Sequence, residues 1–478
     1  MTAVAPDSRA LTDQRLRTMN GVGIGVRGLR PDPDVPLPPG PRWPSLVQSI
    51  ALIRFRHRFQ PWLQRRYGDV FTVRMLPDGR PLVVLTRPEQ AKELFAADPS
   101  VFHAGKGNAI LGPVMGEHSL LLQDGDEHAR ARRLLMPAFN KQALREYREL
   151  VSAIAADEAA HWPADVTLRS LDRMNVLTLE VILRVVFGVT DETRLAALRP
   201  RVNETISIGP DILLGFGFPR LQEHGRWKRA VENQRELDEL IYAEIHERRE
   251  VGDLEMRTDV LSQLMRAGEG DDRLGDAELR DQLVTLLLAG HETTATSLAW
   301  ALYELGRRSD LLARSQRAAD GSTPFGPSAE DDAWLEAVVK ESMRLHPVIP
   351  MVVRTLMEPA TIAGLDLPKG ATVGASILLA HARDSNFTEP ERFDPERFVG
   401  RNPAPHTWIP FGGGVRRCIG AGFAQMEGVA ILREVLRRHD VAAAGDDEPR
   451  VRNITSVPRF GARIHVMPRR AASRSGLI

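Results

Sequence analysis

Cysteine is nearly absent from this chain: Cys418 is the single one among 478 residues. That excludes an intrachain disulfide and any zinc or iron–sulfur site built from several cysteines, and it suits a reducing, cytoplasmic setting. Net charge is absent too, with 63 Lys+Arg against 63 Asp+Glu. No global field therefore points to nucleic acid or to an acidic membrane surface as a partner. Long apolar runs are missing: no stretch approaches the ~20 residues that cross a bilayer, so no transmembrane anchor is expected. Residues 21–26 are too few and too rich in glycine for the core of a secretory signal.

Hydrophobic residues make up 43% of the chain, enough for a sizeable core. Residues 1–36 are polar and rich in Arg, Asp, Gly and Pro, and are expected to form a mobile tail. The segment Leu37-Pro38-Pro39-Gly40-Pro41 stiffens the backbone and opens the folded part. There are no internal repeats and no long linker, so a single domain is expected over 37–470, followed by a short tail at 471–478.

Strand signals cluster early. Apolar runs at 70–73 and 82–85 flank Gly79 and read as a hairpin. Pro88 suits the first turn of a helix, where its missing N–H costs nothing. Helical patterns dominate from 125 to 310, with loops expected at 268–272 and 318–332. The longest helix is expected from Ala277 to Leu305, with Asp276 as N-cap and Gly306 just past its end. At 1.5 Å per residue it is about 45 Å long and crosses the domain. Residues 359–373 read as short strands.

Chemistry concentrates in a few places. In Phe411-Gly412-Gly413-Gly414-Val415-Arg416-Arg417-Cys418-Ile419-Gly420, three consecutive glycines allow close backbone approach to a flat ligand. Arg416 and Arg417 favour the thiolate, the form that ligates metal. A thiolate on such a loop is what a haem iron needs on one side. Mid-way along the long helix stands Ala289-Gly290-His291-Glu292-Thr293-Thr294. Gly290 costs about 1 kcal/mol there relative to alanine, and an adjacent acid and hydroxyl can relay protons. Glu341 and Arg344 share one helix face at i, i+3. His128 and Arg132 share another at i, i+4, two cationic donors suited to a pair of carboxylates.

The cysteine run resembles the cytochrome P450 pattern Phe-x-x-Gly-x-Arg-x-Cys-x-Gly, filled by Phe411, Gly414, Arg416, Cys418 and Gly420. The helix motif matches that family's Ala/Gly-Gly-x-Asp/Glu-Thr-Thr/Ser, with glutamate where many soluble members carry aspartate. The resemblance runs from Leu37 to about Val466. Ile409-Pro410 before the loop is more similar to eukaryotic-type members, although the chain otherwise resembles a soluble bacterial one.

The resemblance implies a mainly α fold with a small β part and a haem-thiolate monooxygenase holding haem b (iron protoporphyrin IX). Cys418 is implied as the metal ligand, with Phe411, Gly412 and Gly420 shaping its loop. His128, Arg132, Arg354 and Arg416 are implied as haem propionate partners. Gly290 makes room for dioxygen, Thr293 hydrogen-bonds the oxygen being activated, and Glu292 helps deliver protons. Glu341 and Arg344, joined by Arg397, form a structural group that holds the cysteine loop. Arg130, Arg133, Arg433, Arg437 and Arg438 could add to a basic face for an acidic electron donor. Electrons are expected from an external ferredoxin or flavodoxin with its reductase.

Four segments are implied to line the pocket for an apolar small molecule. They carry Ile110 and Val114, Ile208 and Leu213, Val348 and Ile349, and Ser456 and Val457, with Ala289 beside the motif. Ordinary core packing explains that composition equally well. Two other readings stand beside the monooxygenase: a haem-thiolate isomerase or peroxygenase that does not use dioxygen, and a non-catalytic haem-binding protein.

Overall fold

The computed structural model describes residues 8–21, 29, 31–76, 78–209, 212, 219–321, 323 and 326–469. Leu213 and the expected C-terminal tail lie outside them. The first half contains helices α1 (Ser8–Gly21), α2 (Ser45–Arg54), α3 (Arg56–Tyr67), α4 (Pro88–Ala96), α5 (Gly112–Met115), α6 (Gly125–Leu135), α7 (Lys141–Ala160), α8 (Ser170–Val186) and α9 (Glu192–Ile206). The second half contains α10 (Gly225–Val251), α11 (Val260–Arg266), α12 (Asp276–Gly306), α13 (Ser309–Asp320), α14 (Ala329–Leu345), α15 (Ile377–His381) and α16 (Ala421–Arg438). The architecture is the expected one, mainly α with small sheets.

A five-stranded sheet joins β1 (Val70–Met75), β2 (Arg80–Leu85), β8 (Thr372–Ser376), β5 (Met351–Leu356) and β3 (Phe102–His103), in that spatial order. The β1–β2 hairpin has the register Val70↔Leu85, and β2 pairs β8 in parallel. Pro88 opens α4 as expected, with Arg87 as N-cap. A three-stranded sheet places β12 (Arg463–Pro468) between β4 (Val166–Arg169) and β9 (His439–Ala443). Hairpins β6–β7 (Ala360–Ile362, Leu365–Leu367) and β10–β11 (Pro449–Arg452, Thr455–Pro458) complete the β part.

Helix α12 is the axle of the main core. Leu279, Leu283, Leu287, Leu298 and Leu302 are all buried along it. Against it lies α8, whose Met174, Leu177, Val181, Ile182 and Val185 repeat at helical spacing and are buried. The helix runs one residue further at each end than expected, with Gly275 as N-cap and Arg307 as C-cap. Gly306 is its last residue, and a side chain there would collide with the Ala443 backbone nitrogen, 2.7 Å from an added Cβ. The loop expected at 318–332 is shorter, since α13 runs on to Asp320 and α14 starts at Ala329. Buried Ala318 and Ala319 hold the end of α13 against the core. No described helix is long and apolar enough to cross a membrane.

Residues 1–36 differ most from expectation, because part of that segment is a docked helix. Leu16 of α1 is buried in an apolar cluster with residues of α5 and α10. Thr12 Oγ1 donates to Asp238 Oδ2 at 2.7 Å, and Arg15 Nη2 donates to the same oxygen at 3.0 Å. Arg280 of α12 pairs with Asp238 and with Asp281. Two cations and two anions thus balance in the interior. Polar composition concealed this, since the residues that look like surface are partners for a buried charge on α10.

Removing one member of a buried ionic group leaves an uncompensated charge, which costs about 3–5 kcal/mol. Asp238→Asn is therefore expected to lower stability by about that much. Urea unfolding of the full chain measures it, and an unchanged midpoint would contradict the balanced-charge account.

Candidate functional site: a cysteine loop and a long helix

Glycine geometry builds the loop. Gly412 and Gly414 both have φ near +64°, which L side chains rarely adopt. Gly414 also abuts α4, where an added Cβ would fall 1.9 Å from the Phe95 carbonyl oxygen. The turn closes where the Cys418 N–H donates to the Phe411 carbonyl at 2.9 Å. Gly420 then caps α16, which carries the chain back into the core.

The loop is held from α14. Arg344 donates to both Glu341 oxygens at 2.6 and 2.8 Å, and both side chains are buried. Arg397 Nε lies 3.4 Å from Glu341 Oε1, so the three residues meet as expected. Arg344 also donates to the carbonyls of His381, Pro390 and Arg392. The His381 ring then accepts from the Ile409 N–H at 2.9 Å, two residues before Phe411. A second link runs through Trp408, whose indole N–H donates to Lys340 O and whose ring meets Phe411 edge-on. Sequence reading missed His381 and Trp408. Neither belongs to a local spacing pattern, and only the fold brings them to the loop.

Cys418 keeps accessible surface, yet the surrounding protein desolvates its thiol. Burial pushes its thiol up, opposed by the Gly420 N–H, Arg417 and Arg132. Arg416, expected to act on the sulfur, turns elsewhere. It donates to Leu120 O at 3.1 Å and also binds Gln123 O and Asp124.

The four candidates, three of them cations, nevertheless converge. His128 is held down to about 4, first by burial and then by Arg416, Arg132 and Arg354. Arg354 is lowered to about 10 by burial and by Arg416. Asp124 is the carboxylate that acts on this group, and it also accepts from the N–H groups of Ala104, Gly105 and Lys106. The interior thus carries more positive than negative charge here, which suits a ligand with two carboxylates. With one thiol donor at Cys418, the residue set fits a haem.

Helix α12 runs unbroken through Gly290. A Cβ at Gly290 would meet Ile182 of α8 at 2.9 Å, so this glycine also sets how closely two helices pack. Ala289 is exposed in a helix that is otherwise largely buried. Thr293 Oγ1 donates to Ala289 O at 2.7 Å. Glu292 is buried, and burial raises its pKa against Arg452 and Thr455 of the β10–β11 hairpin. Arg452 Nε lies 3.3 Å from Glu292 Oε1. His291 packs in the core, its Nδ1 2.8 Å from Thr178 Oγ1. Glu427 of α16 went unnoticed in sequence because it interrupts an apolar face. It is wholly buried against Thr294, and burial pushes it up to about 8.

The pocket candidates divide. Val114 and Ile208 are buried in one cluster, with Ile110 and Leu288 partly buried against it. Val348 O accepts from the Ser456 N–H at 2.8 Å, but the Ser456 hydroxyl is engaged by His57 at 2.9 Å. Ile349 packs on the five-stranded sheet and Val457 in the main core. The five arginines expected to form a basic face are all ion-paired. Arg130 pairs with Asp272 and Glu278, Arg133 with Asp272, Arg433 with Asp332, and Arg437 and Arg438 with Glu434.

Comparison with known proteins accords with this arrangement. The family model Cytochrome P450 matches residues 38–462. A protein of Mycobacterium tuberculosis provisionally named cytochrome P450 135A1 is 51% identical over 438 residues, covering 91% of this chain and 96% of that one. One from Mycobacterium bovis provisionally named cytochrome P450 135B1 is 44% identical over 440 residues, covering 91% and 93%. Among solved structures, a retinoic acid-bound cyanobacterial CYP120A1 superposes with a TM-score of 0.76 at 24% identity, covering 91% of this chain and all of that one. The chain belongs to the cytochrome P450 family. It is a haem-dependent monooxygenase, an oxidoreductase that uses dioxygen and external redox partners.

Buried histidines give the fold a pH signature. His291 and His381 are both held down to about 3, chiefly by burial. The unfolded chain, with histidine near 6.5, therefore takes up protons first as pH falls. Stability is expected to decline on acidification from about pH 6.5 to 4. Denaturant midpoints across that range measure it, and the decline should be shallower in His381→Gln.

Proposed function

We propose that Cys418 would supply the thiolate that holds a haem b, and that His128, Arg132 and Arg354 would hold its propionates. Arg416 fixes Asp124 and the 120–124 backbone beside them. The excess of buried positive charge around Asp124 carries this reading. Bound haem would supply the oxidising chemistry, with the thiolate favouring O–O cleavage.

The chain's own part is to orient, exclude water and move protons. Glu292 is the proton source, kept protonated more readily than a surface glutamate by its burial. Thr293 passes the proton on through its hydroxyl once that group leaves Ala289 O. Arg452 and Thr455 hold Glu292 on the hairpin side, so the β10–β11 hairpin controls the relay. The intact Glu292-Thr293 pair favours the dioxygen-using reading over an isomerase or a carrier. Val114, Ile208 and Ile110 suit an apolar small molecule with little fixed charge. Electrons come from a ferredoxin or flavodoxin with its reductase, in the cytoplasm. Exposed Arg417 beside Cys418 is the arginine placed to meet such a donor.

The reduced protein with carbon monoxide is expected to show the strongly red-shifted Soret band of thiolate-ligated haem. A band typical of histidine ligation, or folded protein that takes up no haem, would overturn the assignment of Cys418. Thr293→Ala is expected to cut product formation by about 10²-fold while electron consumption continues as peroxide release. Oxygen, peroxide and product measured together with a surrogate lipophilic substrate test this. Unchanged coupling would remove Thr293 from the relay.

A further inference from the structure

Helix α1 packs on one element that the proposed site uses and on its neighbour. It contacts α5, which carries Val114, and α10, whose Ala230 and Val231 share a cluster with Leu16. In that cluster Leu16 lies with Leu111, Val114, Met115 and Ile208, and Leu288, the neighbour of Ala289, packs against it. The apolar contacts around Leu16 thus reach α12 beside the exposed Ala289. Leu16 is 4% accessible, as buried as Val114 and Ile208.

The docking is specified by charge as well as by packing. Arg15 Nη1 donates to the carbonyls of Pro113 and Val114 at 2.8 and 3.2 Å. These belong to the short helix α5, whose terminal carbonyls have no partners inside it. Arg280 serves the same segment from the other side, donating to Met115 O at 3.1 Å. Arg15 also completes the charge balance of Asp238, Asp281 and Arg280. Without α1, that interior group would hold two carboxylates and one guanidinium. At the surface, Arg235 pairs with Asp13 at 2.8 Å, and Arg9 lies 3.6 Å from Glu232.

We propose that helix α1 closes the outer side of the substrate chamber over α5 and α10, with Leu16 a wall residue that sets which ligands the chamber accepts. This rests on the haem-thiolate reading above. Arg15 is the positioning residue, because it fixes the α5 backbone that presents Val114.

The test uses the full-length holoenzyme and three probes that ligate haem iron, imidazole, 4-phenylimidazole and a biphenyl-substituted imidazole, each titrated by its Soret shift. Leu16→Ala and Leu16→Trp are expected to change the biphenyl probe's Kd in opposite directions, by about tenfold, the scale of a few methylenes in an apolar pocket. Imidazole itself should stay within about twofold in both, because it occupies only the iron's side of the chamber. Leu16→Met, similar in volume, should keep all three constants. Arg15→Gln provides a second route and is expected to speed association of the biphenyl probe without altering that of carbon monoxide. Unchanged constants for the large probe in both Leu16 variants, with unchanged association in Arg15→Gln, would overturn the role of α1. Equal changes for all three probes would also overturn it, since they indicate general loosening. Wild-type protein without a thiolate-type carbon monoxide band would instead sink the haem-thiolate reading, which keeps the two failures distinct.

Discussion

Arg344 places all five of its N–H donors on acceptors inside the protein: two on Glu341 and one each on the carbonyls of His381, Pro390 and Arg392. Much of the structure depends on that satisfaction. A guanidinium in the interior is tolerated only when every donor is used and its charge is matched. The backbone from His381 to Asp394 must therefore wrap around α14 in one way. Asp394 adds to this by donating its own N–H to Glu341 at 2.8 Å. From that wrap the chain reaches Ile409 and Trp408, which are tied back to His381 and Lys340, and then the glycine turn that aims Cys418. The position of one sulfur is fixed by a charge pair on another helix.

Two buried charge groups differ in a telling way. The group at Asp238 and Arg280 is balanced, and it serves to join helices. The group at Arg132, Arg354 and Arg416, beside His128, is not, with one carboxylate, Asp124, among three guanidinium groups. Balanced interior charge reads as architecture. Unbalanced interior charge reads as an unmet demand for an anionic ligand. The distinction separates structural arginines from binding ones without reference to sequence position.

Much of this was legible in the residues. The cysteine run, the glycine-containing centre of α12 and the Glu341–Arg344 spacing are local patterns, so reading along the chain found them. Helix α12 was placed to within one residue at each end because its apolar period is long and unbroken. What escaped were partners brought from afar. His381 bonds Ile409 across 28 residues, and Arg452 reaches Glu292 from a hairpin 160 residues later. Composition misled for α1, since Arg9, Asp13 and Arg15 look like tail residues until Asp238 and Arg235 are placed opposite them. Pocket residues were the least legible, because Val348 or Ile349 in a wall and in a core have the same chemistry.

Gly290 has a second role beyond leaving space beside α12. Its missing Cβ is also what lets Ile182 approach to 2.9 Å of that point, so α8 and α12 touch through this pair. The two positions share one small volume. Evolution or design can fill it from either helix but not from both. A methyl group added at 290 requires a shorter side chain at 182. Variation at Gly290 is therefore coupled to a residue on a neighbouring helix. Engineers who wish to reshape this part of the helix would begin their libraries at Ile182.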